Sequence, residues 1–269
     1  MNFITTNHMG GLCNVMFKLA ASISLSLDND VEYLFSNEFI RQIDKDIVCG
    51  GFDDYRIYYD NILRNIKFID KLPSGYRTHS EPDSFNYGQI TYHKGENLLL
   101  YGYYQSEKYF INNKDFIINL FKPTNEIQEH ILEVVPDIKN SISIHIRQGD
   151  YLNLPNYHPQ QSIDYYVSAI NLLGVDKNYL IFSDGLDGIK NMFDFIPNKQ
   201  FITLGKDYLD LYAMSMCEHN IICNSTFGWW GAYLNENQNK KVIAPNKWFG
   251  PSSSHLNSSD IVPDNWIKI

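Results

Sequence analysis

Residues 141–151 read SISIHIRQGDY, and this stretch decides the fold prediction. Isoleucine stands at every second position from Ile142 to Ile146, which is the side-chain period of a β-strand. The apolar run stops at Arg147, and Gly149 allows a tight turn directly afterwards. A buried strand that ends in a short polar loop is typical of a βα unit in a parallel sheet. We therefore predict a strand over residues 141–147 with a ligand-competent loop at its carboxyl end.

The rest of the C-terminal half repeats this alternation of strand and helix. Strands are predicted at residues 179–182, 201–203, 220–223 and 241–244, and helices at 162–173, 188–195, 208–217 and 227–235. Strands that alternate with helices form parallel βαβ units and build a doubly wound sheet. Residues 139–269 are therefore predicted as one α/β half.

The N-terminal half begins in the same way. Its predicted elements are a strand at residues 2–5, a turn at Gly10-Gly11, a helix at 14–27, a strand at 97–103 and a helix that Thr124 caps and Pro136 ends. The strand, glycine-rich turn and helix form a further βα unit. Residues 1–138 are therefore predicted as the other α/β half.

Composition excludes several classes of protein. The 269 residues contain 22 Lys and Arg against 31 Asp and Glu, a net charge of −9, which argues against a nucleic-acid surface. No stretch approaches the ~18 to 20 apolar residues of a membrane span, and the N-terminus does not read as a signal peptide. Cys13, Cys49, Cys217 and Cys223 form no CxxC pair. The expected location is the cytoplasm.

The sequence also predicts that no metal and no resident cofactor is needed. Asp44-Lys45-Asp46 has the spacing of an acidic metal-binding pair, but its polar neighbours favour a solvated surface. His8, His93 and His158 lack partners at metal-ligand spacing. The P-loop, zincin and nucleophile-elbow motifs are absent from the sequence.

Three polar loops follow predicted strands of the second half. Arg147 has the planar fork that suits a phosphate, and Asp150 is placed to orient it or to accept a proton. The alternative is a simple Arg147–Asp150 ion pair, and the sequence does not decide between the two.

The second loop, residues 224–226 (NST), precedes a helix. It is suited either to phosphate binding or to simple capping. The third loop carries Asp184, a carboxylate suited to a ribose or a base edge. We interpret Trp229 and Trp230, with Phe227, as core rather than as a sugar platform.

At these residues the sequence resembles the bacterial α-1,2-fucosyltransferases of glycosyltransferase family 11. The matching blocks, in order, are residues 10–17 (GGLCNVMF), 102–110 (GYYQSEKYF), 145–151 (HIRQGDY), 183–184 (SD), 210–234 and 241–249 (KVIAPNKWF). The loop at 145–151 and the block at 210–234, which contains HNIICNSTFGWWGAYL, are specific motifs. A chance match to both, in the right order, is not expected.

The resemblance implies a GT-B-type α/β fold, with two Rossmann-like halves facing across a cleft. It implies an inverting, metal-independent enzyme that moves L-fucose from GDP-L-fucose to a galactoside hydroxyl in α-1,2 linkage. Arg147 would bind the diphosphate and stabilise it as the leaving group. Asp150, which is placed to orient Arg147 or to accept a proton, is predicted as the second catalytic residue. The donor-binding residues implied are Gly10, Gly11, Asn14, His145, Asp184, Asn224, Ser225, Thr226 and Phe227.

Four features depart from the usual family pattern. Gln148 stands where the family usually has a second arginine, and Gly185 stands where it usually has an acidic residue. Gly228 replaces a serine, and Cys13 and Val15 interrupt the usual GGLGNQ.

Two other functions therefore stay open. One is transfer of a different nucleotide-activated deoxysugar, and the other is binding of a nucleotide sugar or glycan without turnover. The predicted partners are a nucleotide sugar and a glycan acceptor, and a lipid-linked acceptor would bring the protein to a membrane surface.

Overall fold

The computed structural model describes residues 2–7, 9–37, 56–82 and 85–269. The chain forms two compact units, one of Met1–Phe121 with Leu256–Pro263 and one of Lys122–His255 with Asp264–Ile269. The units divide at residues 121/122, whereas the sequence placed the division at 138/139. The difference is the helix Asn125–Val134, which packs on a helix of the second unit and buries Ile131.

The first unit is built on a parallel sheet. Its elements are β1 (Phe3–Thr6), α1 (Leu12–Asp28), β2 (Glu32–Tyr33), β3 (Phe35–Ser36), α2 (Arg56–Tyr59), β4 (Phe68–Ile69), β5 (Arg77–Ser80), β6 (Leu98–Tyr101) and α3 (Lys114–Phe121). The sheet order is β2-β1-β6-β5, and β3 pairs with β4 in a separate ribbon. The predicted strands at 2–5 and 97–103 and the predicted helix at 14–27 are confirmed. The sequence missed β5 because its residues, RTHS, are mostly exposed and carry no apolar alternation.

The second unit contains the predicted doubly wound sheet. Its elements are α4 (Asn125–Val134), β7 (Ser141–Ile146), α5 (Ile163–Leu173), β8 (Asn178–Ser183), β9 (Lys199–Ile202), α6 (Asp207–Ser215), β10 (His219–Ile221), α7 (Thr226–Tyr233), β11 (Val242–Ala244) and β12 (Ile267–Lys268). The order is β12-β11-β10-β7-β8-β9, and every neighbouring pair is parallel. All six residues of β7 are buried, because a central parallel strand is covered on both faces.

The predicted helix at 188–195 is wrong. The chain there forms two short 3₁₀ turns, Leu186–Gly188 and Lys190–Phe193. Ile189, Phe193 and Ile196 are buried at intervals of four and three residues, which resembles helical spacing. These side chains anchor an irregular segment to the core instead.

Candidate active site

The structure brings the three polar loops of the second unit to one edge of its sheet. Strands β10, β7 and β8 are direct neighbours and run parallel, so their carboxyl ends lie side by side. The loops at residues 147–153, 184–188 and 222–226 follow these strands. In doubly wound sheets this edge is where ligands bind.

The guanidinium of Arg147 lies at this edge of the sheet, and two carboxylates hold it in place. Its Nε and Nη2 donate to Asp150 Oδ1 at 3.0 and 2.7 Å, and Nη1 lies 2.7 Å from Asp184 Oδ2. Burial alone lowers the pKa of Arg147, but Asp184 and Asp150 outweigh it and raise the pKa above its ordinary value. The ion pair that the sequence allowed is therefore present, and Asp184 extends it to a second strand end.

Asp184 joins the two loops through its other oxygen. Its Oδ1 accepts a hydrogen bond from the backbone N–H of Gln148 at 2.7 Å. A side chain at Gly149 would place Cβ only 2.4 Å from Asp184 Oδ2, so the close approach requires glycine. The geometry of the arginine is thus fixed by contacts between residues that lie 36 positions apart.

Gln148 and Gly185, two departures from the usual family pattern, lie against each other. A Cβ at Gly185 would stand 2.8 Å from Gln148 Cβ and 3.1 Å from Gln148 Cγ. The φ of Gly185 is −148°, a value that any residue can adopt. Glycine is therefore favoured there only because a side chain would have no space. The glycine is therefore explained by the glutamine that packs on it.

We expect Gly185→Ala to lower the free energy of unfolding by about 1–3 kcal/mol, the usual cost of overpacking. In a Gln148→Gly background the same substitution should cost less than about 0.5 kcal/mol, because the opposing Cβ is gone. Chemical denaturation of the wild type, both single variants and the double variant measures this coupling. An equal cost of Gly185→Ala in both backgrounds would contradict the contact.

His145 lies inside β7, below the start of α7. It is 4% exposed, and burial lowers its pKa to about 3, so the imidazole is neutral. Burial raises the pKa of the Cys223 thiol to about 12, and Cys223 Sγ lies 3.4 Å from His145 Nδ1. The protonated thiol can therefore donate to Nδ1, which leaves the imidazole proton on Nε2. A Cβ at Gly228 would stand 2.7 Å from Nδ1, so glycine makes room for this ring.

Asn224 ties the second loop to its surroundings. Its Nδ2 donates to Trp248 O at 2.9 Å, and its Oδ1 accepts from Gln161 Nε2 at 2.9 Å. Its own backbone carbonyl accepts from the Tyr151 hydroxyl at 2.8 Å. Asn224 is 1% exposed, and both polar atoms of its side chain are hydrogen-bonded within the protein. These bonds hold the loop in place. A donor-binding role for Asn224 stays a prediction.

The residues after Asn224 begin α7. Ser225 is the N-cap, and its Oγ accepts from Phe227 N at 3.3 Å, as the capping interpretation expected. Thr226 and Phe227 are half-buried, so both keep surface at the sheet edge. Trp229 and Trp230 are fully buried, which confirms their assignment to the core. Phe227 differs from the two tryptophans because it is only half-buried. The centroid of its ring lies 5.3 Å from the centroid of the His145 ring.

The loop that carries Arg147 is supported by contacts of Tyr151 that the sequence did not predict. The Tyr151 ring stacks on His158 with centroids 4.5 Å apart and an interplanar angle of 6°. Arg147 Cζ lies 5.9 Å from the centre of the Tyr151 ring. Tyr151 stood in the quoted motif, but its stacking partner His158 lies outside that motif, and the pair leaves no recognisable pattern in the sequence.

The glycine-rich loop of the first unit follows β1. Gly10 has a φ of +83°, which favours glycine, and a Cβ there would lie 2.6 Å from Asn14 Nδ2. Gly11 is the N-cap of α1. Asn14 Oδ1 accepts from Gln105 Nε2 at 3.0 Å, which links this loop to the one after β6. A donor contact for these three residues stays a prediction.

Within residues 2–7, 9–37, 56–82 and 85–269, no group of three or more His, Cys, Asp and Glu side chains is arranged to hold a metal ion. None of the helices described is long and apolar enough to cross a membrane. The acidic pair at 44–46, His8 and Cys49 lie outside the described residues.

Two solved structures of fucosyltransferases share the fold of this chain. The fucosyltransferase NodZ from Bradyrhizobium is similar with a TM-score of 0.51 and 14% identity, over 86% of this chain and 91% of that one. Arabidopsis thaliana FUT1, solved in complex with GDP, gives a TM-score of 0.51 and 15% identity, over 97% of this chain and 75% of that one. These similarities confirm the predicted GT-B-type fold class.

Sequence comparison identifies the family. The O-antigen biosynthesis glycosyltransferase WbnK of Escherichia coli is 32% identical over 63% of this chain and 60% of its own length. An α-1,2-colitosyltransferase of Escherichia coli is 28% identical over 100% of this chain and 99% of its own length. The profile of glycosyl transferase family 11 matches residues 2–269. The chain belongs to glycosyltransferase family 11 and is an enzyme of the glycosyltransferase class.

Proposed function

We propose that this enzyme transfers L-fucose from GDP-L-fucose to a galactoside hydroxyl, in α-1,2 linkage and with inversion at the anomeric carbon. The observation that carries the proposal is the guanidinium of Arg147, fixed at the carboxyl ends of β7 and β8. Negative charge develops on the leaving diphosphate during transfer, and a donor fixed beforehand at that place stabilises it.

Arg147 keeps donors for such a ligand. A guanidinium carries five N–H groups. The bonds to Asp150 use two of them and the contact of Nη1 with Asp184 Oδ2 engages a third, which leaves two for a ligand. Its side chain is 32% exposed, so a diphosphate can reach it. In this proposal Asp150 and Asp184 orient the arginine, and Thr226 and Phe227 border the donor at the start of α7.

The second candidate donor is GDP-colitose, which the full-length similarity to an α-1,2-colitosyltransferase favours. Colitose is fucose without its 3-hydroxyl group. A site that hydrogen-bonds a sugar hydroxyl rejects the analogue lacking it by about 10⁴- to 10⁵-fold, whereas a site without that contact discriminates weakly. The ratio of kcat/KM for the two donors therefore separates the candidates.

The test is a GDP-release assay that crosses GDP-L-fucose, GDP-colitose, GDP-mannose and UDP-galactose with β-galactosides and free lactose. The proposal expects release only with a GDP-6-deoxysugar and a galactoside together. NMR of the product should show an α-linkage to the 2-hydroxyl of galactose. A strong preference for GDP-colitose would replace the first donor by the second. Binding of GDP without release under any combination would contradict transfer.

We expect the initial rate to be unchanged, within about twofold, after extensive EDTA treatment. In the proposed mechanism Arg147 supplies the positive charge that a metal ion would otherwise supply at the diphosphate. The measurement is the initial rate of GDP release before and after chelation, with added Mg²⁺ or Mn²⁺ as the control. A rate that collapses with EDTA and returns with metal would contradict the mechanism.

A further inference from the structure

Cys223 lies just beyond the carboxyl end of β10, next to the end of β7. The pairing of these parallel strands sets Ile221 beside Ile144, so the chain reaches Cys223 where β7 passes into the loop of Arg147. The cysteine is 2% exposed. A buried cysteine ordinarily acts as a small apolar residue of the core. Cys223 differs from that ordinary case because two polar groups face its sulfur.

The sulfur of Cys223 contacts one backbone group and one side chain of the neighbouring strand and its loop. The backbone N–H of Arg147 hydrogen-bonds to the sulfur, which acts against the burial that raises the pKa of this thiol to about 12. The sulfur also lies 3.4 Å from His145 Nδ1. A backbone N–H can only donate, so the sulfur is the acceptor in the first contact. The single proton of the thiol is therefore left for the second contact, as a donor to Nδ1.

This chain of hydrogen bonds selects one of the two neutral forms of His145. Burial lowers the pKa of the imidazole to about 3, so the ring carries a single proton at neutral pH. Because Nδ1 accepts from the thiol, that proton is on Nε2. Within the part of the chain that the structure describes, Nε2 has no hydrogen-bond partner. A polar group in a ring that is 4% exposed normally has one, and an oxygen of a bound diphosphate would serve.

Gly228 leaves Cys223 as the donor to this ring. A Cβ at Gly228 would stand 2.7 Å from His145 Nδ1 and 3.2 Å from His145 Cγ, so the imidazole packs directly on the first turn of α7. Glycine has no side chain that could donate to Nδ1. The thiol of Cys223 therefore supplies the hydrogen bond that holds the ring in one tautomer.

We propose that Cys223 is a positioning residue of the transfer reaction: its thiol ties the backbone of Arg147 to the imidazole of His145 and keeps the Nε2 proton available to the diphosphate. This inference rests on the proposed function, because the diphosphate is that of the GDP-sugar. The guanidinium of Arg147 and the Nε2–H of His145 are then both fixed before negative charge develops on the leaving group. The opposing interpretation is that Cys223 only fills space in the core.

Two substitutions of Cys223 separate these interpretations. We expect Cys223→Ala to lower kcat/KM about 10- to 100-fold, the range that small misplacements at a reacting centre reach. Cys223→Ser should recover most of this loss, because a hydroxyl, like a thiol, accepts one hydrogen bond and donates another. Both variants lack the sulfur, so a residue that only filled space would be impaired equally in both. Equal rates of GDP release by the two variants would overturn the proposal.

The matched control is Cys217→Ala. Cys217 lies before the other end of β10, is 1% exposed, and has its Sγ 3.4 Å from Ala213 O. The substitution removes the same atoms from the same unit, and transfer should continue at the rate of the wild type. Chemical denaturation compares the stability of the two alanine variants. An equal fall in rate in Cys217→Ala would show that lost stability slows transfer, and it would overturn the positioning role.

Nitrogen-15 NMR reads the tautomer of His145 without turnover, because a ring nitrogen that carries a proton and one that does not have well-separated shifts. His145→Gln identifies the signals. We expect a bare Nδ1 and a protonated Nε2 in the wild type, with the Nδ1 signal displaced in Cys223→Ala and close to its wild-type position in Cys223→Ser. Saturation with GDP should shift the Nε2 signal. A proton on Nδ1 in the wild type, or an Nε2 signal that GDP leaves unchanged, would overturn the proposal.

Failure of this inference is distinct from failure of the proposed function. If the wild type transfers sugar and Cys223→Ala transfers equally well, the positioning role fails while the proposed function stands. If the wild type transfers from no donor, the proposed function fails and the positioning role fails with it, even where the NMR signals show the expected tautomer.

Discussion

Replacing Arg147 with alanine should lower kcat/KM about 10²- to 10³-fold, the typical cost of losing one preorganised donor to the transition state. The substitution has a second effect at this edge of the sheet. Asp150 and Asp184 would remain without the cation that they share, and their charges would repel the diphosphate. The loss should therefore appear both in GDP affinity and in turnover, measured by calorimetry and by GDP release.

Two further variants show whether the rate of transfer depends on the planar geometry of the Arg147 guanidinium or on its charge alone. Arg147→Lys keeps the charge but replaces a planar fork by a single ammonium, so it should recover little of the lost rate. Arg77→Ala removes an exposed arginine that is also paired with a carboxylate, and it should leave the rate unchanged. Near-normal transfer by a folded Arg147→Ala protein would contradict the catalytic role of Arg147. Its contacts with Asp150 and Asp184 would then be simple ion pairs.

The sequence predicted the second unit well because its signals are local. The isoleucines of β7 gave the strand period, and the residues after it gave a polar loop with a glycine turn. Ser225 and Thr124 cap their helices as their residue types predict. These features depend on neighbours within a few positions, which is the range over which a pattern in the sequence can be read.

The features that the sequence did not give depend on the order of strands in space. The contact of Arg147 with Asp184 follows from the pairing of β7 with β8. Strand β5 was missed because it lies at the edge of its sheet and is mostly exposed. The bond from Lys18 Nζ to Met9 O was not predicted, because a single lysine in an apolar helix gives no sign of the loop to which it bonds.

The helix error at residues 188–195 has the same origin. Buried residues at intervals of three and four predict a helix when the chain is considered alone. In the structure the segment crosses from β8 towards β9, and its apolar residues join the core as anchors of two 3₁₀ turns. Tertiary packing therefore overrides the periodic pattern.

Trp229→Ala should destabilise the second unit by about 3–5 kcal/mol, the usual cost of truncating a buried tryptophan. Trp229 is 0% exposed, stacks on Tyr233 with centroids 4.5 Å apart, and lies 5.4 Å from Trp266. The ring therefore joins α7 to the C-terminal segment that carries β12. Chemical denaturation followed by tryptophan fluorescence and circular dichroism measures the change in the free energy of unfolding.

The same substitution should also impair GDP binding. Ser225, in the loop after β10, caps α7, and the packing of Trp229 holds this helix in place. Trp229→Phe should cost less, since an aromatic ring still fills part of the space. Phe116→Ala removes a ring that is 43% exposed and should change the free energy of unfolding by less than about 0.5 kcal/mol. A folded Trp229→Ala protein of wild-type stability that had lost only acceptor binding would show that the tryptophan faces sugar, and the assignment of this ring to the core would be wrong.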